Sequence, residues 1–206
     1  MAGLPRAFLW RRLDAAGAEQ VLFSDRGGLH ARGTMVSAVP VPFVCRYDLY
    51  TDDAWVSARL EASVEGAGFV RQTRLERAAG RWRVTATEQG DLDAALRAAG
   101  HPRAGLPGST EPDRLAPALD IDLGSSPLTN TLPIRRLGLL EAPVGSVHTQ
   151  TMAWVLVPSL EVIANEQTYT VLGSGKIRYS SGTFSAELSL DAEGYVTHYP
   201  GLADRA

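Results

Sequence analysis

Trp55-Val56-Ser57-Ala58-Arg59-Leu60-Glu61-Ala62-Ser63-Val64-Glu65-Gly66 decides the class of this fold. Val56, Ala58, Leu60, Ala62 and Val64 alternate with Ser57, Arg59, Glu61, Ser63 and Glu65, a period of two that places apolar side chains on one face of a strand and polar ones on the other. The run stops at Gly66-Ala67-Gly68 and resumes at Phe69-Val70, which predicts a hairpin. Phe184 to Asp191 alternates in the same way, turns at Asp191-Ala192-Glu193-Gly194 and resumes at Tyr195-Val196. The stretches Ser57–Gly66 and Ser185–Gly194 match at five of ten positions. They mark either two related halves of one curved sheet or a coincidence of common residues.

Working outward, strands are predicted at Ala7–Leu13, Glu19–Ser24, Leu29–Val39, Phe43–Tyr50, Phe69–Arg77, Arg81–Thr87, Val147–Val157, Gln167–Leu172 and Ile177–Tyr179. Asp25-Arg26-Gly27-Gly28, Ala78-Ala79-Gly80 and Gly173-Ser174-Gly175 supply turns between them. Two helices interrupt the strands. Asp91–Ala99 carries acids in its first turn and Gly100 after its end. Thr131 is placed to cap a second helix over Leu132–Leu139, with Pro133 in the first turn, where its missing N–H costs little. Between them His101–Pro117 holds four prolines and two glycines, which predicts an exposed and dispensable insert. Residues 1–206 read as a single domain, mainly antiparallel β. The expected architecture is a strongly curved sheet forming an open, half β-barrel, with one or two short helices across the opening, because free strand edges must be closed or covered.

Composition removes several function classes. Twenty basic residues against 23 acidic ones leave a net charge of −3, and Lys176 is the lone lysine. Such a chain has no broad positive field to hold nucleic acid. No apolar run approaches the length of a spanning helix. One cysteine, Cys45, excludes an intramolecular disulfide and any multi-cysteine metal site. Met1–Leu13 interleaves Arg6, Arg11 and Arg12 with Phe8, Leu9 and Trp10 and contains no secretory apolar core. The expectation is a cytoplasmic protein.

No reaction is spelled out. The bases His30, His101, His148 and His198 are scattered, and no G-x-S-x-G elbow accompanies them. Asp120 and Asp122 share a strand face but lack a third ligand nearby, so neither a catalytic residue, a metal site nor a cofactor is expected. Gly173-Ser174-Gly175-Lys176 lacks the earlier Gly and the following Ser or Thr of a phosphate loop and reads as a turn. Cys45 lies inside a strand and reads as a small core residue.

One stretch is not generic: Asp120-Ile121-Asp122-Leu123-Gly124-Ser125-Ser126-Pro127-Leu128-Thr129-Asn130-Thr131-Leu132-Pro133-Ile134-Arg135-Arg136-Leu137. It leaves an extended element and enters a helix, and the Asn130 amide is expected to satisfy backbone groups at that bend. Arg135 and Arg136 point about 100° apart on a helix. Each is either solvated or paired with a carboxylate such as Glu187, or stands at a pocket mouth holding an anionic head group. The aromatic sets Tyr47, Tyr50, Trp55 and Tyr169, Tyr179, Phe184 read as cross-strand core pairs or as a pocket lining.

That stretch, with Gln167-Thr168-Tyr169-Thr170, Tyr179, Phe184-Ser185-Ala186-Glu187-Leu188, Tyr199-Pro200-Gly201-Leu202, Trp10-Arg11-Arg12-Leu13 and the Tyr47/Trp55 region, resembles the bacterial "putative glycolipid-binding" family. The likeness spans nearly the whole chain. It implies a fold similar to the LolA/LolB-type lipoprotein carriers, in which a curved antiparallel sheet forms an unclosed barrel over an apolar cavity. The function it implies is non-catalytic binding of a hydrophobic or amphipathic small molecule, a glycolipid or acyl chain, in that cavity. Arg135, Arg136, Tyr169, Tyr179, Trp55 and Tyr47 are the candidate ligand-binding residues. The rivals are an enzyme acting on a hydrophobic metabolite in the same cavity and an interaction module with a vestigial pocket.

Overall fold

The computed structural model describes Arg6–Ala206; Met1–Pro5, the start of the segment read above as carrying no secretory core, lie outside the described residues. Fourteen strands follow in chain order: β1 (Arg6–Arg12), β2 (Gly17–Ser24), β3 (His30–Ser37), β4 (Phe43–Thr51), β5 (Ser57–Gly66), β6 (Phe69–Ala78), β7 (Arg81–Gly90), β8 (Asp120–Leu123), β9 (Val147–Val155), β10 (Val162–Gly173), β11 (Lys176–Ser181), β12 (Phe184–Leu190), β13 (Val196–Tyr199) and β14 (Ala203–Arg205). They form one sheet in the order β7-β6-β5-β4-β3-β2-β1-β14-β13-β12-β11-β10-β9-β8. Two seven-strand meanders therefore meet where β1 pairs with β14. Every pairing is antiparallel except that of β8 with β9. The matching runs at Ser57 and Ser185 are each the fifth strand of a meander.

The predicted alternation sets the inner face. Leu60, Ala62 and Val64 of β5 are buried, as are Val21 and Phe23 of β2 and Cys45, Tyr47 and Leu49 of β4. At the start of β5 the pattern departs from expectation. A register shift opposite Tyr50 and Thr51 turns Ser57 inward, where its Oγ accepts from the Ile121 N–H at 3.0 Å. Helix α1 (Leu92–Ala98) begins as the sequence predicts, with the Asp91 carboxylate accepting from the Ala94 N–H at 2.8 Å. Helix α2 (Thr131–Arg136) is shorter than predicted and follows a 3₁₀ turn at Pro127–Asn130. Thr131 is inside the helix rather than capping it, with its Oγ1 buried and without a hydrogen-bond partner among the described residues. No helix among the described residues is long and apolar enough to cross a membrane.

Strands β7 and β8, the two ends of the sheet, do not pair. Residues 101–119 run between them as a strap. Gly108 donates to the Leu160 carbonyl at 2.9 Å and accepts from the Val162 N–H at 2.7 Å. Trp82 Nε1 donates to the Ala118 carbonyl at 3.0 Å, and the Ser57 N–H to the Leu119 carbonyl at 2.9 Å. The expectation of an exposed insert at 101–117 is corrected at two points: most of it is exposed, but Gly108 and Leu115 are buried and Leu115 belongs to the main core. Isolated apolar residues in a proline-rich stretch carry no periodicity, so their burial is set by the gap they fill. Leu115→Ala is expected to cost about 2–5 kcal/mol, seen as a lower urea midpoint with an unchanged slope. An unmoved midpoint would return the segment to the status of a free loop.

Candidate functional site

The six residues singled out by sequence fall in four places. Trp55 sits in the β4–β5 turn at φ +67°, and the Arg135 guanidinium lies 4.6 Å from the centroid of its ring. Arg135 also donates to the Glu193 carbonyl at 2.6 Å. Arg136 points elsewhere: its Nη2 donates to Asp120 Oδ2 at 2.6 Å and to Gln150 Oε1 at 3.0 Å, and its Nε lies 3.1 Å from both Asp120 oxygens. Its carboxylate partner is therefore Asp120, not Glu187, which pairs with Arg178 at 2.8 Å. Tyr169 and Tyr179 form an edge-on pair 5.5 Å apart in a second core cluster, and Tyr47 lies in the other half of the sheet.

The 120–137 stretch is a buried polar lattice. Asp122 accepts from Gln167 Nε2 at 2.6 Å and from Thr129 Oγ1 at 3.0 Å. Tyr169 Oη donates to Gln167 Oε1 at 3.1 Å and accepts from Asn130 Nδ2 at 3.2 Å. Asn130 thus ties the 3₁₀ turn to β10 through a tyrosine and makes no cap. Burial raises the pKa of Asp122 and its two hydrogen bonds oppose that rise. Such a network fixes the geometry of β8 and α2 against the sheet, because each member left unpaired there would carry its full desolvation cost. That accounts for the tight specification of the sequence.

A second buried set was missed by sequence reasoning. Glu19 on β2 is fully buried, and its Oε1 accepts from Tyr47 Oη at 2.5 Å and Ser126 Oγ at 2.6 Å. Its Oε2 has no partner among the described residues. Desolvation pushes its pKa up to about 7 against the pull of those two hydrogen bonds and of the nearby Arg12. A signal existed: Glu19 stands two residues before Val21 and four before Phe23, so the alternation already put it on the buried face. Glu19, Tyr47 and Ser126 are all buried, which leaves Glu19 a structural acid.

An open groove lies on the opposite, outward face of β3 to β7. Register aligns Arg32, Asp48, Glu61, Arg74 and Thr85 in one cross-strand row and Thr34, Arg46, Ser63, Gln72 and Thr87 in the next. Between them runs a row whose side chains turn inward: Gly33, Tyr47, Ala62, Thr73 and Ala86. The two outward rows and this floor line a groove of about 520 Å³. Gly33 is required there, because the Tyr47 ring occupies the space a Cβ would take. Arg32 and Arg46 are held loosely, each 3.6 Å from its nearest carboxylate oxygen, with side chains 71% and 62% exposed. Arg74 is shared between Glu76 and Glu61, the latter at 3.3 Å. Donors and acceptors therefore alternate along the walls with little commitment to one another. Among the described residues no three His, Cys, Asp or Glu side chains converge as a metal site would require.

The inward face, expected to floor an apolar cavity, is instead packed by its own side chains, with Trp10, Phe23, Met35, Leu49 and Leu60 at or near zero exposure. Comparison with known proteins bears on the fold and the family. A crystal structure of a DUF1089 family protein from Pseudomonas aeruginosa is similar over 100% of this chain and 94% of its own, at 24% identity and a TM-score of 0.66. That likeness shows the fold. Comparison with the curated proteins gave no match. Residues 7–205 match the family described as "Putative glycolipid-binding", and the chain belongs to that family.

Proposed function

We propose that this protein binds an amphipathic small molecule without transforming it, and that the groove across β3 to β7 holds the molecule's hydroxyl-rich head. The two facing rows of reassignable polar side chains carry this reading. A sugar presents hydroxyls that each donate and accept. The rows offer guanidinium forks at Arg32 and Arg46, carboxylates at Asp48 and Glu61, hydroxyls at Thr34, Ser63 and Thr87 and the amide of Gln72. A bare acyl chain would leave these groups unmatched and desolvated, at a cost for each. The family description agrees with this ligand class. Of the residues that sequence singled out, Tyr47 belongs here through its place on the floor, whereas Arg136 is already committed to Asp120.

Mass spectrometry of organic extracts from the purified protein tests the reading. One class of amphipath with a polyhydroxylated head is expected to co-purify, and Ser63→Trp, which fills the groove from its outward wall, is expected to lose it while melting like the parent. Equal recovery from the filled variant would place the ligand elsewhere.

A further inference from the structure

The outward rows that wall the groove continue past β3 onto β2 and β1, and there their chemistry changes. The row of Thr34 and Arg46 runs on to Gln20 and Leu9, and the row of Arg32 to Leu22 and Ala7. Two residues along from Thr34, the next row holds Val44, Val36, Ala18 and Arg11. Of the nine large apolar side chains exposed among the described residues, five gather at this corner. Leu9, Leu22 and Val36 lie on the three strands, and Leu13 and Val39 just past the ends of β1 and β3, each between 41% and 50% exposed. Single exposed leucines are ordinary, but a contiguous patch marks a surface that meets something apolar.

Arginines frame the patch. Arg11 is 70% exposed with Asp204 at 3.5 Å, and Arg32 and Arg46 are held as loosely on the side of the groove. A guanidinium with uncommitted donors matches phosphate oxygens. Apolar side chains flanked by such arginines are complementary to the head-group region of a bilayer, where phosphates lie over hydrocarbon. The hydrocarbon of a groove-bound amphipath makes the same demand. The inward face is filled by its own side chains and the groove walls are polar, so neither takes an acyl chain out of water.

We infer that the outward face of β1 to β3 docks on a lipid bilayer, and that the groove beside it takes the sugar of a glycolipid whose chains stay in the membrane. This rests on the reading of the groove as a head-group site and adds the surface on which that site works. Leaving the chains in the hydrocarbon avoids the cost of exposing each methylene to water. Leu9, Leu22 and Val36 are few and aliphatic, so their own hold on a membrane is weak. Firm binding needs the patch and the groove engaged together, the second contact being made at high effective concentration once the first is formed.

Sedimentation of the full chain with phosphatidylcholine vesicles, with or without monoglucosyl diacylglycerol, tests this. The parent is expected to bind the glucolipid vesicles more than tenfold tighter than the plain ones. Leu22→Glu combined with Val36→Glu, both at exposed positions, is expected to lose more than tenfold on glucolipid vesicles and to keep the parent's affinity for methyl β-D-glucoside, which has no chain. Ser63→Trp is expected to lose the preference for glucolipid. Because Cys45 is buried, a polarity-sensitive dye goes selectively onto Val36→Cys or Phe184→Cys. On glucolipid vesicles the dye at position 36 is expected to shift to the blue and the one at position 184 to stay unmoved, a readout that holds even if the two glutamates disturb the groove. No vesicle binding by a parent that still binds methyl glucoside, full vesicle binding by the double glutamate variant, or a dye at position 36 that stays in water on bound protein overturns the docking face and leaves the head-group site standing. A preference for glucolipid that survives in Ser63→Trp overturns the head-group reading instead, and binding of neither vesicle nor glucoside overturns both.

Discussion

Arg136→Ala is expected to lower stability by about 3–5 kcal/mol, because it leaves the Asp120 carboxylate fully buried and without a counter-ion. The Asp120 pKa is already raised by desolvation, and Arg136 supplies the hydrogen bonds and attraction that oppose the rise. Removing them shifts the carboxyl toward its neutral form, so the variant should be less destabilised in acid than at neutral pH. Asp120→Asn introduced beside Arg136→Ala is expected to recover part of the loss, since a neutral amide costs less to bury than a carboxylate. Urea unfolding of the single and double variants at two pH values measures this. A single variant as stable as the parent would mean that the pair is solvated and that α2 is not fastened to β8 by it.

The second large effect concerns Glu19. Its folded pKa of about 7 lies above the ordinary value of 4.5, so the folded state holds a proton that the unfolded chain releases. Stability from this group is fully present below about 4.5 and is lost as the pH rises to about 7. By the constant of about 1.4 kcal/mol per pKa unit, the loss is on the order of 3 kcal/mol. Glu19→Gln removes the titration while keeping an oxygen for Tyr47 and Ser126. It places an amide nitrogen where Oε2 has no partner, at a cost of about 1–3 kcal/mol at any pH. The variant should therefore be less stable than the parent at pH 4.5 and close to it or more stable at pH 8. Parallel curves for the two proteins across that range would show that Glu19 is ionised throughout. Arg12, Tyr47, Ser126 and Cys45 stand around it, but Arg12 is engaged with Asp14 at 2.5 Å, and burial pushes the Cys45 thiol up to about 12.

The period-two runs made the strands and hairpins legible, since alternation records which face meets the core. They did not show β14, three residues long, or that β8 would pair in parallel with β9, because such short elements carry too few residues to display a period. The strap misled for a related reason: Leu115 is one apolar residue among prolines, and its burial follows from the gap between unpaired sheet ends. The groove was invisible for a different one. Thr34, Arg46, Ser63, Gln72 and Thr87 become neighbours through cross-strand register, and each taken alone is an ordinary outward residue of an amphipathic strand. Arg135 and Arg136 attracted notice as an adjacent pair, yet a helix separates adjacent side chains, and one went to Trp55 while the other went to Asp120. Glu19, on the apolar face of its strand, was the readable exception: a charged residue in phase with Val21 and Phe23 is directed into the core by the alternation alone.

The central claim is that the outward groove of β3 to β7 takes a hydroxyl-rich head. Chemical-shift mapping of the labelled protein with octyl β-D-glucoside below its micelle-forming concentration tests it most directly. A saturable set of shifts is predicted at Thr34, Arg46, Ser63, Gln72 and Thr87, with Tyr179 and Phe184 on the far meander unmoved. Shifts centred on Tyr179, Phe184 and Tyr199, or on Trp55 and Arg135, with the groove silent, would contradict it.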